Sequence, residues 1–233
     1  MSKISEFDNF SRSIANFFKE LSLNNNKQWF DDHRNFYEQE IKDKSKLFVS
    51  RMSKDFEQEN LPLISDSKLS LFRINRDIRF SANKDPYKTN MGIFFPYSEN
   101  PFNVNKDTSL GLYIHYEVDQ SFIACGIHNP DSEQLKKVRY AVANDYENFK
   151  TIVNEKSFEK HFPEMFALLK PVTRVAGYSK DHPAFEHICR KDFTYGVYID
   201  DDLVFDIQLP EFIIEKAKAA KPFLAFLYHA ING

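Results

Sequence analysis

A regular alternation runs from Gly111 to His128, and it reads GLYIHYEVDQSFIACGIH. Large apolar side chains alternate there with polar or small ones, which is typical of β-strands because successive side chains point to opposite faces. The pattern predicts strands at 111–117 and 121–128, joined as a hairpin by a turn at Asp119 and Gln120. A turn at this place predicts four cross-strand pairs: Glu117 with Phe122, His115 with Ala124, Tyr113 with Gly126, and Gly111 with His128.

The two faces of this hairpin differ in chemistry. One face is apolar and is predicted to lie in the core: Leu112, Ile114, Tyr116, Ile123, Cys125 and Ile127. The other face carries polar and aromatic residues beside small ones: Tyr113, His115, Glu117, Ala124, Gly126 and His128. Because small residues opposite large rings leave open space, this face is expected to form the floor of a cleft, with Tyr113 as a ligand contact.

Histidine exchanges a proton near neutral pH, so His115 and His128 are the candidate catalytic residues of this face. The alternative is an ordinary half-exposed sheet face with polar residues, or a face that a helix covers.

Helical periodicity surrounds the predicted sheet. Helices are predicted at 7–23, at 27–58 as one long helix or two stacked ones, from Asn129 to Tyr146, at 183–188 with Asp181 as the cap, and from Pro210 onward with a division at Pro222. Further strands are predicted at 72–80, 92–97 and 195–199.

The order of these elements predicts the fold class. Runs of helix followed by runs of strand favour an α+β fold, in which a mainly antiparallel sheet is packed with helices. The N-terminal part and the C-terminus are both expected to be helical. Because no repeat and no linker interrupts the chain, residues 1–233 are predicted to form a single domain.

Composition excludes several classes of protein. Hydrophobic residues make up 42% of the chain and charged residues 28%, which is typical of a globular protein. The net charge of −3 argues against a protein that coats nucleic acid, while it still allows a local basic site. Two cysteines and the lack of a long apolar stretch predict a cytoplasmic protein with no disulfide framework and no membrane partner. Familiar catalytic and metal-binding motifs are absent, so no metal ligand is predicted and the cofactor is unknown.

The segment from Arg73 to Lys88 is basic within this acidic chain. It holds five cations and two anions, a local net charge of +3. Its alternation predicts a strand, on which Arg76 shares an apolar face with Phe72, Ile74, Ile78 and Phe80. A guanidinium on such a face needs a carboxylate, a phosphate or carbonyl groups as partners, because burying it unpaired costs on the order of several kcal/mol.

This segment is therefore the predicted site for a phosphate-bearing small molecule or a nucleic-acid end. Its candidate ligand-binding residues are Arg73, Arg76, Arg79, Lys84, Tyr87 and Lys88. The arginines would hold the anion by paired hydrogen bonds, the lysines would add charge, and Tyr87 would stack on a base or sugar.

Two alternatives stay open for the same segment. In the first, Arg76 pairs with a core carboxylate, and the remaining charges form a solvated edge and a structural network. In the second, the segment docks a protein partner of unknown identity, and the chain is a non-catalytic interaction module.

Several stretches resemble a single family. They are Arg73–Gly92 (RINRDIRFSANKDPYKTNMG), Gly126–Pro130 followed by Leu135 and Arg139, Gly177–Pro183, Pro222–Phe226, and Leu21–Tyr37 with Asn25, Lys27, Trp29 and Phe30. Together they are similar to the uncharacterised domain of unknown function 2461 over almost the whole chain. The resemblance implies a single domain, and it implies no activity.

The chain departs from that family's pattern at two places. Ala82 and Asn83 stand where a Lys-Asp pair is usual, and Asn90 and Met91 stand where His-Phe is common. We therefore expect no charge-dependent role for Ala82 or Asn83.

Overall fold

The alternating hairpin lies at the centre of an antiparallel sheet. The computed structural model of the protein describes residues 6–79, 81–100, 108–166 and 169–233. Within these residues the sheet has five strands in the order β1-β2-β3-β5-β4. The strands are β1 (Met91–Pro96), β2 (Leu110–Tyr116), β3 (Phe122–Ile127), β4 (Glu164–Met165) and β5 (Phe193–Tyr198). Every neighbouring pair is antiparallel, which confirms the predicted α+β class.

The predicted pairing of the hairpin is wrong by two residues. The strands pair His115 with Phe122, Tyr113 with Ala124, and Gly111 with Gly126. The turn is longer than a two-residue loop: Asp119 has a φ of 62°, and the Gln120 amide donates to the Glu117 carbonyl at 2.9 Å. Asp201 holds this turn by accepting hydrogen bonds from the Asp119 amide at 2.9 Å and the Ser121 hydroxyl at 2.5 Å. A shift of two residues keeps each side chain on its predicted face.

Helices form the N-terminal part, as predicted. They are α1 (Ser13–Leu23), α2 (Lys27–Asp32), α3 (Arg34–Phe36), a π-helical stretch (Tyr37–Asp43), α4 (Lys44–Gln58) and the short α5 (Ser67–Ser70). The first helix begins at Ser13 rather than at residue 7, although Phe7 and Phe10 before it are buried. Asn26 caps α2 by accepting a hydrogen bond from the Trp29 amide at 3.0 Å.

The remaining helices follow the hairpin. They are α6 (Ser132–Asn144), α7 (Tyr146–Val153), α8 (Lys156–His161), α9 (Phe185–Ile188), α10 (Asp201–Val204) and α11 (Leu209–Asn232). Asp131 starts α6 in a capping box with Gln134. The predicted cap by Asp181 is wrong, because α9 begins only after a turn in which the Ala184 amide donates to His182 at 3.1 Å.

The predicted division of α11 at Pro222 is also wrong. The helix runs through Pro222, which lies on its exposed side. The next two residues, Phe223 and Leu224, are fully buried. Proline removes one backbone hydrogen bond, and the packing of the opposite side holds the helix together.

The predicted strand at 72–80 is not formed. Single bridges join Leu71 to Ile93 and Asn75 to Tyr87, and the backbone between them is irregular. Ile74 is buried, whereas Phe72 is 51% exposed, so the expected shared apolar face does not exist. The predicted face included Phe80, which lies outside the described residues.

Helices cover one face of the sheet and leave the other partly open. The predicted core face is confirmed, since its six hairpin residues are at most 2% exposed. Aromatic rings join the layers: Phe56 of α4 lies 5.0 Å from Phe95, Phe18 of α1 lies 6.0 Å from Tyr116, and Phe223 of α11 lies 5.3 Å from Tyr195. Each buried ring contributes roughly 1.5–3 kcal/mol, so this layer fixes the sheet against the helices.

No helix within the described ranges combines the length and apolar character that crossing a bilayer requires.

Candidate functional site

The open face of the sheet forms a cleft of about 510 Å³. Its floor is made of Gly111, Ala124 and Gly126, and three of its walls are the rings of Phe72, Phe94 and Phe122. Its polar groups include Tyr113, His115, His128 and Thr194. The cleft predicted from small residues on this face is therefore present. Its volume suits a small organic ligand, since ligand pockets measure roughly 300–1,000 Å³.

Glycine is required in the floor of this cleft. Gly126 has a φ of 125°, a conformation that residues with a side chain rarely adopt. A Cβ atom there would lie 2.0 Å from the Phe193 carbonyl oxygen of the neighbouring strand. Gly126 therefore permits the close approach of β3 and β5 beneath the cleft.

A chain of hydrogen bonds crosses one end of the cleft. The Tyr113 hydroxyl lies 3.0 Å from His115 Nδ1, and His115 Nε2 lies 3.3 Å from Glu117 Oε2. The Thr89 hydroxyl donates to the other Glu117 oxygen at 3.0 Å. Because the Glu117 carboxylate accepts, His115 Nε2 carries the donated proton, and Nδ1 accepts from Tyr113.

Burial favours the neutral forms of Tyr113 and His115, the two central groups in this series of hydrogen bonds. Burial lowers the pKa of His115, and the positive charge of Lys88 lowers it further against the opposing effect of Glu117. Burial also raises the pKa of Tyr113 to about 12. His115 is stacked on Phe122 with ring centres 4.6 Å apart. The chain therefore holds Tyr113 and His115 as neutral hydrogen-bonding groups near neutral pH.

Lys88 brings positive charge to the same end. Its Nζ lies 5.2 Å from the centre of the Phe72 ring, which itself packs against Tyr113 at 5.9 Å. Burial lowers the pKa of Lys88, and the nearby Arg73 adds to this effect. No carboxylate among the described residues forms an ion pair with Lys88. Arg73 and Lys88 together line a small pocket of about 40 Å³ beside Phe72.

The other predicted cations are engaged elsewhere. Arg79 is bound by both oxygens of Asp77, at 3.0 and 2.7 Å. Lys84 donates to the Ile78 carbonyl at 2.9 Å. The Arg76 guanidinium lies 4.0 Å from the Asp85 carboxylate. Of the predicted cations, Arg73 and Lys88 therefore lie at the small pocket that shares Phe72 with the cleft, whereas Arg76, Arg79 and Lys84 line neither space.

The Tyr87 side chain is buried in the core. It is 6% exposed, and its ring stacks on Phe30 with centres 4.1 Å apart. Its backbone is held by the side chain of Asn25, which accepts from the Tyr87 amide at 3.1 Å and donates to its carbonyl at 3.0 Å. Because its ring is buried, Tyr87 is not available to stack on a ligand as predicted.

The other end of the cleft holds His128, the second histidine predicted from the sequence, together with Thr194 and the nearby Asp192, which the sequence did not suggest. His128 is exposed there, and the Thr194 hydroxyl donates to the Ile127 carbonyl at 3.2 Å. Asp192 is 1% exposed, and neither of its carboxylate oxygens has a hydrogen-bond partner among the described residues. Burial raises the pKa of Asp192, while His128 and Arg190 act in the opposite direction. Sequence analysis missed Asp192 and Thr194 because the strand was predicted to begin only at Tyr195.

Metal ligands do not gather at this site. Within the part of the chain that the structure describes, no three His, Cys, Asp or Glu side chains lie close enough to hold a metal ion together.

Comparison with known families gives one match. The family described as Conserved hypothetical protein (DUF2461) matches residues 13–226. The chain belongs to this family. The match to DUF2461 spans every strand of the sheet and the whole cleft face, so the cleft lies inside the region that defines the family. No curated protein and no solved structure matches this DUF2461 chain.

Proposed function

We propose that this DUF2461 protein binds an anionic ligand, a phosphate-bearing small molecule or a nucleic-acid end, in the cleft and the small pocket beside it. Lys88 and Arg73 supply the positive charge, and the aromatic walls hold the organic part of the ligand. The observation that carries this proposal is the Lys88 ammonium, which is half-buried against Phe72 in the small pocket beside the cleft and has no acidic partner among the described residues.

A half-buried ammonium of this kind is costly to the free protein. Desolvation and the repulsion from Arg73 both disfavour the charged form of Lys88. A bound anion would offset both effects, because it supplies opposite charge and accepts hydrogen bonds from the ammonium. The stabilisation gained would therefore exceed that at an exposed lysine, where water already solvates the charge.

The cleft supports a ligand larger than a simple anion. Its aromatic walls provide apolar surface for a ring or sugar, and the Tyr113 ring packs against Phe72, the wall that also contacts Lys88. Aromatic walls with a few polar groups are the usual lining of small-molecule sites.

The alternative, a protein-docking module without catalysis, has less support. The large apolar side chains that are exposed among the described residues are Leu23, Phe72, Tyr140, Tyr198 and Ile207. Phe72 and Tyr198 are connected through the rings of Tyr113 and Phe122 along the cleft, so their apolar surface belongs to the proposed ligand site. Leu23, Tyr140 and Ile207 lie on other parts of the chain. A docking surface would be favoured by a contiguous apolar patch.

A cytoplasmic location is proposed on the state of the two cysteines. Cys125 and Cys189 are both free and buried, which suits a reducing compartment.

Ligand binding is expected to depend on Lys88 and not on Lys84. In a thermal-shift screen with inorganic phosphate, nucleotides, sugar phosphates and short oligonucleotides, with and without magnesium or manganese, at least one anion should raise the melting temperature. Lys88→Met should weaken that binding by about tenfold to a hundredfold, since a hydrogen bond between charged groups contributes roughly 1.5–3 kcal/mol. Added salt should weaken it as well.

Lys84→Met is the matched control, because it removes the same charge from the same segment. Lys84 is engaged with a backbone carbonyl, so we expect a change of less than about twofold from lost long-range charge. Equal losses in the two variants would contradict a site at Lys88. No shift with any anion would remove the proposal and favour the docking alternative.

A further inference from the structure

We propose that Asp192 and His128 form a carboxylate–imidazole pair at the second end of the cleft, with Asp192 positioning His128 to accept a proton from the bound ligand. The role of the pair rests on the proposed function, because the ligand is the proton donor. The pair itself is a property of the ligand-free protein.

The register of the sheet places the two residues opposite each other. The last pair between β3 and β5 joins Ile127 to Phe193, so the next position pairs His128 with Asp192. On its other side His128 continues the ladder, since its amide donates to the Ser109 carbonyl at 3.2 Å. Directly opposed residues have Cβ atoms roughly 4.5–5.5 Å apart, a gap that an aspartate and a histidine can bridge by one hydrogen bond.

Continuing the ladder by one position beyond the ends of β3 and β5 puts both residues on the cleft side of the sheet. Thr194 pairs with Gly126, and both line the cleft. Side chains two residues apart on a strand share a face, so Asp192 follows Thr194 and His128 follows Gly126. His128 itself lines the cleft.

The Asp192 carboxylate makes no hydrogen bond to any described residue in the structure. Arg190 and the Leu169 backbone amide are near enough to affect its charge, yet neither makes a hydrogen bond to it that meets the usual geometry. Burying a neutral polar group without a hydrogen bond costs roughly 1–3 kcal/mol, and burying an unpaired carboxylate costs more. His128 is exposed, and its charge is near enough to lower the pKa of Asp192. In the proposed pair, the His128 side chain changes rotamer so that its imidazole reaches the carboxylate.

His128 is better placed than His115 to exchange a proton with a ligand. Both ring nitrogens of His115 are occupied, one by Tyr113 and one by Glu117, and its side chain is 12% exposed. The imidazole of His128 has no hydrogen-bond partner among the described residues. A hydrogen bond from one of its nitrogens to Asp192 would leave the lone pair of the other nitrogen directed to the cleft.

The proton balance of the step is simple. An O–H or N–H bond of the ligand breaks, an N–H bond forms on His128, and the ligand is left with the bonding electron pair. Asp192 stays ionised and stabilises the imidazolium through its hydrogen bond. His128 would be the residue in contact with the ligand, and Asp192 would act through it.

The tautomer of His128 tests the pair in the free protein. In NMR spectra that resolve the ring nitrogens, recorded where the imidazoles are neutral, wild-type His128 should show one tautomer favoured by about tenfold or more, since a hydrogen bond to a charged acceptor contributes roughly 1.5–3 kcal/mol. Asp192→Asn should reduce that preference, and Asp192→Ala should abolish it. A wild-type tautomer ratio equal to that of free histidine overturns the pair.

Controls separate this result from damage to the fold and from failure of the proposed function. Glu117→Gln should alter the spectrum of His115 and leave that of His128 unchanged, and the melting temperature of each variant reports its folding. Absence of the tautomer preference while anions still bind overturns the pair alone. A tautomer preference without binding of any anion supports the pair and overturns the proposed function.

Discussion

Replacing Gly126 with alanine should remove a large part of the free energy of unfolding. The added Cβ would meet a backbone oxygen, Phe193 O, at 2.0 Å, and φ at this position is 125°. A side chain can rotate away from a clash, whereas this oxygen moves only if β3 separates from β5. Backbone strain of this kind costs roughly 1–3 kcal/mol, and the overlap adds a similar amount, so we expect a total loss of about 4 kcal/mol or more. Domains have only about 5–15 kcal/mol of stability in total.

The measurement is denaturant unfolding followed by circular dichroism, with Gly177→Ala as the matched control. Gly177 also has a positive φ, of 87°, but a Cβ there would meet nothing within 4 Å. It should therefore lose only about 1 kcal/mol, from backbone strain alone. Similar losses at the two positions would show that the contact with Phe193 does not limit the sheet.

Replacing Lys216 with methionine should change the pH dependence of stability. Lys216 is 5% exposed, donates to the His161 carbonyl at 2.9 Å, and lies 4.9 Å from the centre of the Phe212 ring. Burial lowers its pKa from 10.5 to about 8. Since the folded-state pKa lies below the unfolded value, the unfolded chain binds more protons between these values, and stability rises with pH across this window.

The size of this effect follows from the pKa shift. The charged form of Lys216 costs the folded state on the order of 3 kcal/mol below about pH 8, and this cost disappears as pH rises toward 10.5. Methionine keeps the apolar stem and removes the charge, while losing one hydrogen bond worth about 1 kcal/mol. The variant should therefore be about 2 kcal/mol more stable than wild type near neutral pH, and the advantage should vanish or reverse above about pH 10.5.

Unfolding free energies of both proteins across this pH range test the prediction, because other titrations cancel in the difference. Lys218→Met is the control on the same helix, since the Lys218 side chain is 51% exposed and pairs with Glu59. A constant difference between wild type and Lys216→Met at all pH values would contradict a buried charge at this position.

Local alternation was enough to predict the faces of the hairpin but not its register. A side chain's face depends only on its position along the strand, which the sequence displays directly. The register depends on the turn, and the turn is held by Asp201, which lies 82 residues after Asp119. No local pattern contains that contact.

The candidate site was predictable in part for the same reason. The cleft floor and its histidines lie on neighbouring strands of one hairpin, so their alternation revealed them. The cations of the basic segment could not be sorted from the sequence, because Asp77 engages Arg79 while Lys88 packs on Phe72. The proposed pair of Asp192 and His128 depends on the pairing of β3 with β5, in which the partners Ile127 and Phe193 are 66 residues apart in the sequence.

The edges of the sheet have a consequence for how the protein behaves at high concentration. Its last strand, β4, has two residues, so it offers an incoming strand almost no unpaired backbone. The outer side of β1 is covered by the preceding chain, where the Ile64 amide donates to the Pro96 carbonyl at 2.8 Å and Leu71 bridges to Ile93. Short or covered edges prevent sheets of different molecules from joining. Both edges of the sheet are therefore poor templates for a strand of another molecule, although one face of the sheet is open and lined by aromatic rings.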